Sequence, residues 1–202
     1  SGRPGYVEVR RDRLIESAVF GEASYDLTRD LSLTVGGRLF GNRLSAASTV
    51  SVGAPVRRFD DRLTDGGFAP KLRLAWRLSP RASVYVAASE GYRTGGFNTG
   101  GPPGQLFSAA EPGAQPFRRY GGDELWSYEA GGRWRSADGQ IVARAAAFLA
   151  DWRDIQADLI LPSGLAYTAD FGDGRSMGVE AEATWEVGAL TLAGNFVWQD
   201  AE

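Results

Sequence analysis

Apolar and polar residues alternate along most of this chain. Ile15, Val19, Ala23, Tyr25 and Leu27 share one parity, against Glu16, Glu22, Ser24 and Asp26 on the other. Leu31, Leu33, Val35 and Leu39 oppose Ser32, Thr34 and Arg38, and Leu72, Leu74, Trp76 and Leu78 oppose Lys71, Arg73 and Arg77. The same beat returns at Trp126, Tyr128, Ala130 and Trp134, at Val179 to Val187, and at Leu190, Leu192, Phe196 and Trp198. Side chains on a strand point to opposite faces with period 2, so each stretch is a ribbon with one oily and one wet face. Two further segments are less regular. Ser83 to Asn98 starts in register and then becomes glycine-rich, and Ile141 to Leu159 also fits a helical stripe. A strand is favoured there by the hairpin-type turn Ala137-Asp138-Gly139 before it. The pattern predicts eight strands, near 13–27, 31–45, 68–78, 82–97, 123–135, 140–159, 174–187 and 189–200.

The connections alternate in length. Short turns fall at Thr28 to Asp30, Ser79 to Arg81, Ser136 to Gly139 and Gly188-Ala189, and long polar loops are expected near 46–67, 98–122 and 160–173. Short turns on one rim, long loops on the other and strands longer than the usual 5–6 residues point to an antiparallel, up-and-down transmembrane β-barrel. Four short turns against three long loops would put both ends of the chain on the long-loop side. The expectation is an internal stretch of a larger barrel, with the basic segment Tyr6 to Arg13 as the tail of another outer loop. A soluble carbohydrate-binding β-sandwich is the competing reading.

Composition narrows the chemistry. The chain has 202 residues and neither His nor Cys, which removes Ser-His-Asp and Cys-His catalysis, the commonest zinc ligand and any disulfide framework. An outer-membrane hydrolase barrel is disfavoured on that ground. A net charge of -3 from 22 basic and 25 acidic side chains is too even for a nucleic-acid surface. The longest apolar run, Ala145 to Ala150, is six residues, where a spanning helix needs about 20. No signal peptide is visible at Ser1 to Gly5. A mildly negative mean hydropathy leaves a membrane barrel open, since only every second residue need be oily. Asp60, Asp61 and Asp65, and Asp170 and Asp173, invite a calcium reading but lack the spacing of a calcium loop, so solvated loops or turns are expected. No metal site or cofactor is expected. Gly172-Asp173-Gly174 lacks the third glycine of a dinucleotide loop.

Several segments together resemble the TonB-dependent receptors of Gram-negative outer membranes, the ferric-siderophore type in particular. Phe20-Gly21-Glu22 ahead of Tyr25, Leu31 to Arg38, and Phe68-Ala69-Pro70-Lys71 are similar to successive strands of that family. Gly91-Tyr92-Arg93-Thr94-Gly95-Gly96-Phe97-Asn98 is the most specific match. Trp126 to Gly131, Asp154-Ile155-Gln156 and Met177-Gly178-Val179-Glu180 follow in the family's order. The resemblance implies a 22-stranded type of barrel holding an N-terminal plug, set in outer-membrane lipid. It further implies uptake of a ferric siderophore or similar bulky solute, energised by the inner-membrane TonB complex acting through the plug. No plug, signal peptide or terminal strand is recognisable here, so residues 1–202 read as a partial barrel domain.

Two sets of candidate residues follow. Charge facing lipid at the midplane costs about 2–4 kcal/mol for Arg or Lys. Glu22, Arg38, Lys71, Arg73, Arg77, Arg133, Arg135, Glu180 and Glu182 are therefore expected to face the lumen, as wall residues paired across strands or as a grip on plug or solute. Trp76, Trp134, Trp185 and Trp198 are expected at the membrane interfaces. Tyr92, Arg93, Phe97 and Asn98, where a strand rises into a long loop, are candidates for receiving an anionic or aromatic chelate, with Arg118 and Arg119 in the following loop. The competing role for the first four is a structural kink that shapes the loop, and for Arg118 and Arg119 a place in a solvated loop. Gly91, Gly95 and Gly96 suggest a bulge or close backbone approach among them.

Overall fold

The computed structural model describes residues 7–100, 118–160 and 166–202. Among these residues twelve strands occur in chain order: β1 Val7–Asp26, β2 Leu31–Val52, β3 Ala54–Ser79, β4 Ala82–Arg93, β5 Gly96–Phe97, β6 Arg119–Tyr120, β7 Asp123–Arg135, β8 Ile141–Arg153, β9 Gln156–Ile160, β10 Ala166–Asp170, β11 Gly174–Val187 and β12 Leu190–Ala201. Eight form one antiparallel sheet in the order β1-β2-β3-β4-β7-β8-β11-β12. The other four make two small hairpin sheets, β5–β6 and β9–β10. The stripe over 141–159 forms the strands β8 and β9, not a helix.

Cross-strand partners share a face, so the register fixes what each side of the sheet carries. One unbroken row reads Tyr25, Leu33, Leu74, Val86, Ala130, Ala147, Val179 and Trp198 from β1 to β12. Every member is apolar or aromatic. The row beside it on the other face reads Ser24, Thr34, Arg73, Ala87, Glu129, Phe148, Gly178 and Gln199. Glu22, Arg38, Lys71, Arg77, Arg133, Arg135, Glu180 and Glu182 fall on this second face with Arg73, by the same ladder. The sheet is a single layer. Val19 and Leu39 are 76% and 62% exposed, and Phe68, Trp76 and Trp198 are each more than half exposed. A soluble sandwich would bury such residues against a second sheet, and that reading finds no support.

Local chemistry explains the four tight turns. The Thr28 hydroxyl accepts from the Asp30 and Leu31 amides at 3.2 and 3.0 Å, and Ser79 accepts from the Arg81 amide at 3.2 Å. Gly139 and Gly188 adopt φ of 75° and 60°, which a side chain disfavours. In the first of these two turns the Ser136 hydroxyl and the Gln140 amide hold the Asp138 carboxyl below its ordinary range. Trp76, Trp134 and Trp185 all lie near this rim on the apolar face.

The far rim departs from expectation. Residues 46–67 were expected as a loop, yet β2 and β3 continue as a paired ribbon to Gly53, whose φ is 76°. Residues 7–13 belong to β1 and pair with this ribbon, where an outer-loop tail was expected. Charged residues fall on both faces of the ribbon, so the period-2 signal that marks the wall fades there. The strand expected over 82–97 stops at Arg93, and Gly96–Phe97 pairs separately with β6. The strand expected over 140–159 breaks at Asp154, a non-glycine residue at φ 53°, and resumes as β9. Parts of the expected loops 98–122 and 160–173 are the strands β6 and β10; residues 101–117 and 161–165 lie outside the described residues.

A charge on the apolar row should be far more damaging than one beside it. Leu74→Arg, in the middle of β3's oily run, should lower stability in phospholipid vesicles by about 2–4 kcal/mol, and Ser127→Arg on the charged face by less than about 1 kcal/mol. Urea unfolding followed by Trp fluorescence would check the difference; equal losses would refute the assignment of faces.

Candidate functional site

At the rim opposite the tight turns the chain packs on itself. Among the described residues the five buried hydrophobic ones include Ala46, Val50 and Phe97, and Asn42, Ser48, Asn98, Thr99 and Asp123 are also buried. These positions place a compact cluster between the distal ribbon of β1–β3 and the segments that follow β4. β4 pairs with β3 only as far as Lys71↔Ser89, and beyond that point with β7 alone. Freed from β3, its end crosses the charged face of β2. There the Tyr92 ring stacks on Phe40, with centroids 3.5 Å apart and planes within 4°, and its hydroxyl accepts from Arg38 Nε at 3.2 Å.

Arg93 is the next clasp. Its guanidinium donates to both carboxylate oxygens of Asp123, with Nε at 2.9 Å from each, and lies 5.0 Å from the Trp152 ring centroid. It also donates to the Gln156 carbonyl at 3.2 Å. The Asp123 carboxylate is 2% exposed, whereas half of the Arg93 side chain meets solvent. Burial pushes the Asp123 carboxyl up, but the hydrogen bonds from Arg93 and the Gln156 amide outweigh it and hold the group below the usual carboxylate range. Gln156 completes the tie by donating its amide nitrogen to the Thr94 and Gly121 carbonyls at 3.2 and 3.0 Å.

Phe97 is almost fully buried, edge-on to Phe59 at 5.5 Å, with Arg119 over it at 5.6 Å. Asn98 imitates a strand: its amide nitrogen donates to the Thr168 carbonyl at 2.6 Å and its amide oxygen accepts from the Thr168 amide at 2.9 Å. That pair clamps β10 onto the segment after β5. Arg119 grips Asp61 through both oxygens at 2.7 and 2.8 Å, and its hydrogen bonds lower the Asp61 carboxyl. Arg118 sits 5.5 Å from the Phe59 ring, and burial lowers its pKa. Thr99, also buried, donates to Glu8 on β1 at 2.7 Å. A Cβ at Gly95 would strike the Tyr120 carbonyl and one at Gly96 the Tyr120 ring, so the close approach is real at both; Gly91 has room.

The six candidates of the rim thus converge on one cluster, and each is tied to other protein groups in it. Their partners Phe40, Phe59, Asp61, Asp123, Gln156 and Thr168 were invisible as such, being 30 to 70 residues away along the chain in several cases. Asp60, Asp61 and Asp65 are strand residues of β3, not loop residues. Asp61 binds Arg119, Asp170 accepts from the Gly121 amide at 3.4 Å and Asp173 from the Asp154 amide at 3.0 Å. No cluster suited to a metal ion occurs among the described residues. Down the wall the charged face carries its own pairs: Lys71 with Glu22 at 2.6 Å, Arg144 with Glu182 at 2.8 Å, and Arg38 with Glu16. Arg73 stacks over Tyr85 at 4.6 Å, and the Tyr85 hydroxyl donates to Glu129.

The TonB dependent receptor-like β-barrel family model matches residues 4–202. No curated protein matches the chain. Solved structures do. The ferric yersiniabactin uptake receptor FyuA from Yersinia pestis matches at 20% identity and a TM-score of 0.76, over 98% of this chain and 29% of that one. The closed form of the ferric-catecholate import receptor Fiu from E. coli K12 matches at 17% identity and 0.68, covering 95% and 28%. The siderophore receptor PiuA from Acinetobacter baumannii matches at 15% identity and 0.67, covering 95% and 26%. The chain thus spans under a third of the length of these proteins, and the likeness is one of fold.

Asp61 and Asp123 give the rim cluster a defined acid response. Each carboxyl is lower in the folded state than in the unfolded chain, so its contribution is full above about pH 4 and is lost as pH falls through the depressed native value. Hydrogen exchange at the Asn98–Thr168 clamp should rise in that acid window in the native protein. Asp123→Asn should raise exchange there already at neutral pH, by the equivalent of about 1–3 kcal/mol for a buried partner lost. An unchanged exchange profile in the variant would rule out Asp123 as the clasp.

Proposed function

The chain belongs to the TonB-dependent receptor-like β-barrel family, and from that premise we propose that it is wall of an outer-membrane uptake receptor in a Gram-negative bacterium. The 202 residues would be part of a longer protein whose plug domain couples it to the inner-membrane TonB complex. The observation that carries this reading is the eight-strand apolar row in a single-layer sheet whose other face carries the charged residues. Such a layer is stable only where hydrocarbon covers the first face and water or protein the second. The family is one of receptors and transporters, and no enzymatic role is proposed. Nor is a nucleic-acid partner or a resident cofactor.

On this reading the second face lines the lumen, and Glu22, Arg38, Lys71, Arg73, Arg77, Arg133, Arg135, Glu180 and Glu182 meet plug and water. The rim cluster is then the outer mouth. Its solute is a ferric siderophore or a chelate of similar bulk and charge, supported by what the structurally similar receptors are named for. Tyr92, Phe97 and Asn98 act from within the packing, as does Arg118 against Phe59. They hold the β5–β6 and β9–β10 hairpins at fixed height. Arg93 and Arg119 are half exposed, so each presents a guanidinium edge whose direction its carboxylate has already set. Pre-orientation of this kind lowers the ordering cost of binding an anionic chelate.

Radioiron uptake by cells producing the complete receptor tests the reading. Uptake of the cognate ferric chelate should fall to background when the inner-membrane energy-coupling complex is deleted, with chelate binding at the cell surface retained. Undiminished uptake in the deletion strain would mean a passive pore. Absence of the protein from outer-membrane fractions would remove the membrane assignment itself.

A further inference from the structure

Arg93 and Arg119 sit on different strands, yet the same clasp holds both. Arg93 donates Nε and Nη2 to the Asp123 carboxylate, and Nη2 donates again to the Gln156 carbonyl at 3.2 Å. Arg119 donates Nε and Nη2 to the Asp61 carboxylate, and Nη2 donates again to the Arg62 carbonyl at 3.3 Å. Each guanidinium also lies over a ring, Arg93 over Trp152 at 5.0 Å and Arg119 over Phe97 at 5.6 Å. Half of each side chain still meets solvent.

The clasp decides what these groups have left to offer. A guanidinium can grip a carboxylate or phosphate with two teeth along either of two edges: Nε with one Nη, or the two Nη groups together. In both residues an aspartate fills the first edge. The second edge is closed as well, because Nη2 has spent one hydrogen on the aspartate and the other on a backbone carbonyl. Among the described residues Nη1 has no hydrogen-bond partner in either arginine. Nη1 and the uncovered plane are therefore what a ligand can use. Charge adds little, since each cation is already balanced and Asp158 places a second carboxylate near Arg93. A flat conjugated ring suits such a plane, because guanidinium stacks on aromatic faces within about 6 Å. An oxygen on the ring's rim can then accept from Nη1.

We propose that the solute of this mouth carries its metal on aromatic rings bearing chelating oxygens, with one ring stacked on the open plane of Arg93 and another on that of Arg119. The assignment deepens the uptake-receptor reading and rests on it. It sets aside chelates built on carboxylates, which need a two-toothed edge, and on hydroxamates, which have no ring to stack.

The test uses the complete receptor in detergent and isothermal titration with three probes. Two are uncharged ferric complexes on one tripodal backbone, a tris-hydroxypyridinonate with rings and a tris-hydroxamate without; the third is ferric citrate. The ring-bearing complex should bind at least about tenfold more tightly than either of the others. The double variant Arg93→Lys, Arg119→Lys keeps both charges and removes both planes. It should lose at least about tenfold for the ring-bearing complex and less than about twofold for the hydroxamate. A loss shared equally by both complexes would mean that the arginines only hold the loops, and overturns the proposal. So does a variant that binds the ring-bearing complex as the native protein does, or a native protein that prefers hydroxamate or citrate. Energy-coupled radioiron uptake separates the two readings. If cells import iron from the hydroxamate or citrate complex but not from the ring-bearing one, the receptor reading stands and the ring assignment is wrong. If the receptor neither binds nor imports any ferric chelate, both fall.

Discussion

A single β-sheet that shows hydrocarbon on one side and charge on the other has no freedom of register. Slipping one strand by one residue would carry Leu72, Leu74 and Trp76 to the wet face and Lys71, Arg73 and Arg77 to the oily one. With no second layer to absorb the error, each misplaced charge would stand in lipid at about 2–4 kcal/mol. The eight-strand sheet is therefore specified by side-chain parity more than by any packed interior. That explains how the wall can lack a core: Ala69 and Ala146 are the buried apolar residues it keeps among those described, and both are small. The tight turns then need only stop each strand in phase, which Thr28, Ser79, Gly139 and Gly188 do with local hydrogen bonds and permissive backbone.

Parity also explains which parts of the structure could be read in the chain. The wall strands were legible because one face must be oily; the strand predicted at 174–187 coincides with β11. The distal ribbon was illegible because charge falls on both of its faces. In Arg57-Arg58 and Asp60-Asp61-Arg62, neighbours of opposite parity are both charged, and the period disappears although the hydrogen-bond ladder continues to Gly53. The break at Asp154 had no warning either, since a non-glycine residue at positive φ leaves no mark in the sequence. The mouth was half legible. Tyr92, Arg93, Phe97 and Asn98 stood out, but Arg93–Asp123 and Asn98–Thr168 are long-range partnerships that no spacing rule reports.

Within the mouth, order is bought by neutralisation. Arg93 with Asp123 and Arg119 with Asp61 are charge-balanced pairs, so neither guanidinium projects a full positive field toward an approaching anion. What each retains is orientation: five donors in a fork whose far edge is free to the extent that the side chain is exposed. What such a group offers is geometry at contact rather than attraction from a distance. The Phe40–Tyr92 stack serves the same rigidity, since it pins the end of β4 after β4 has left β3.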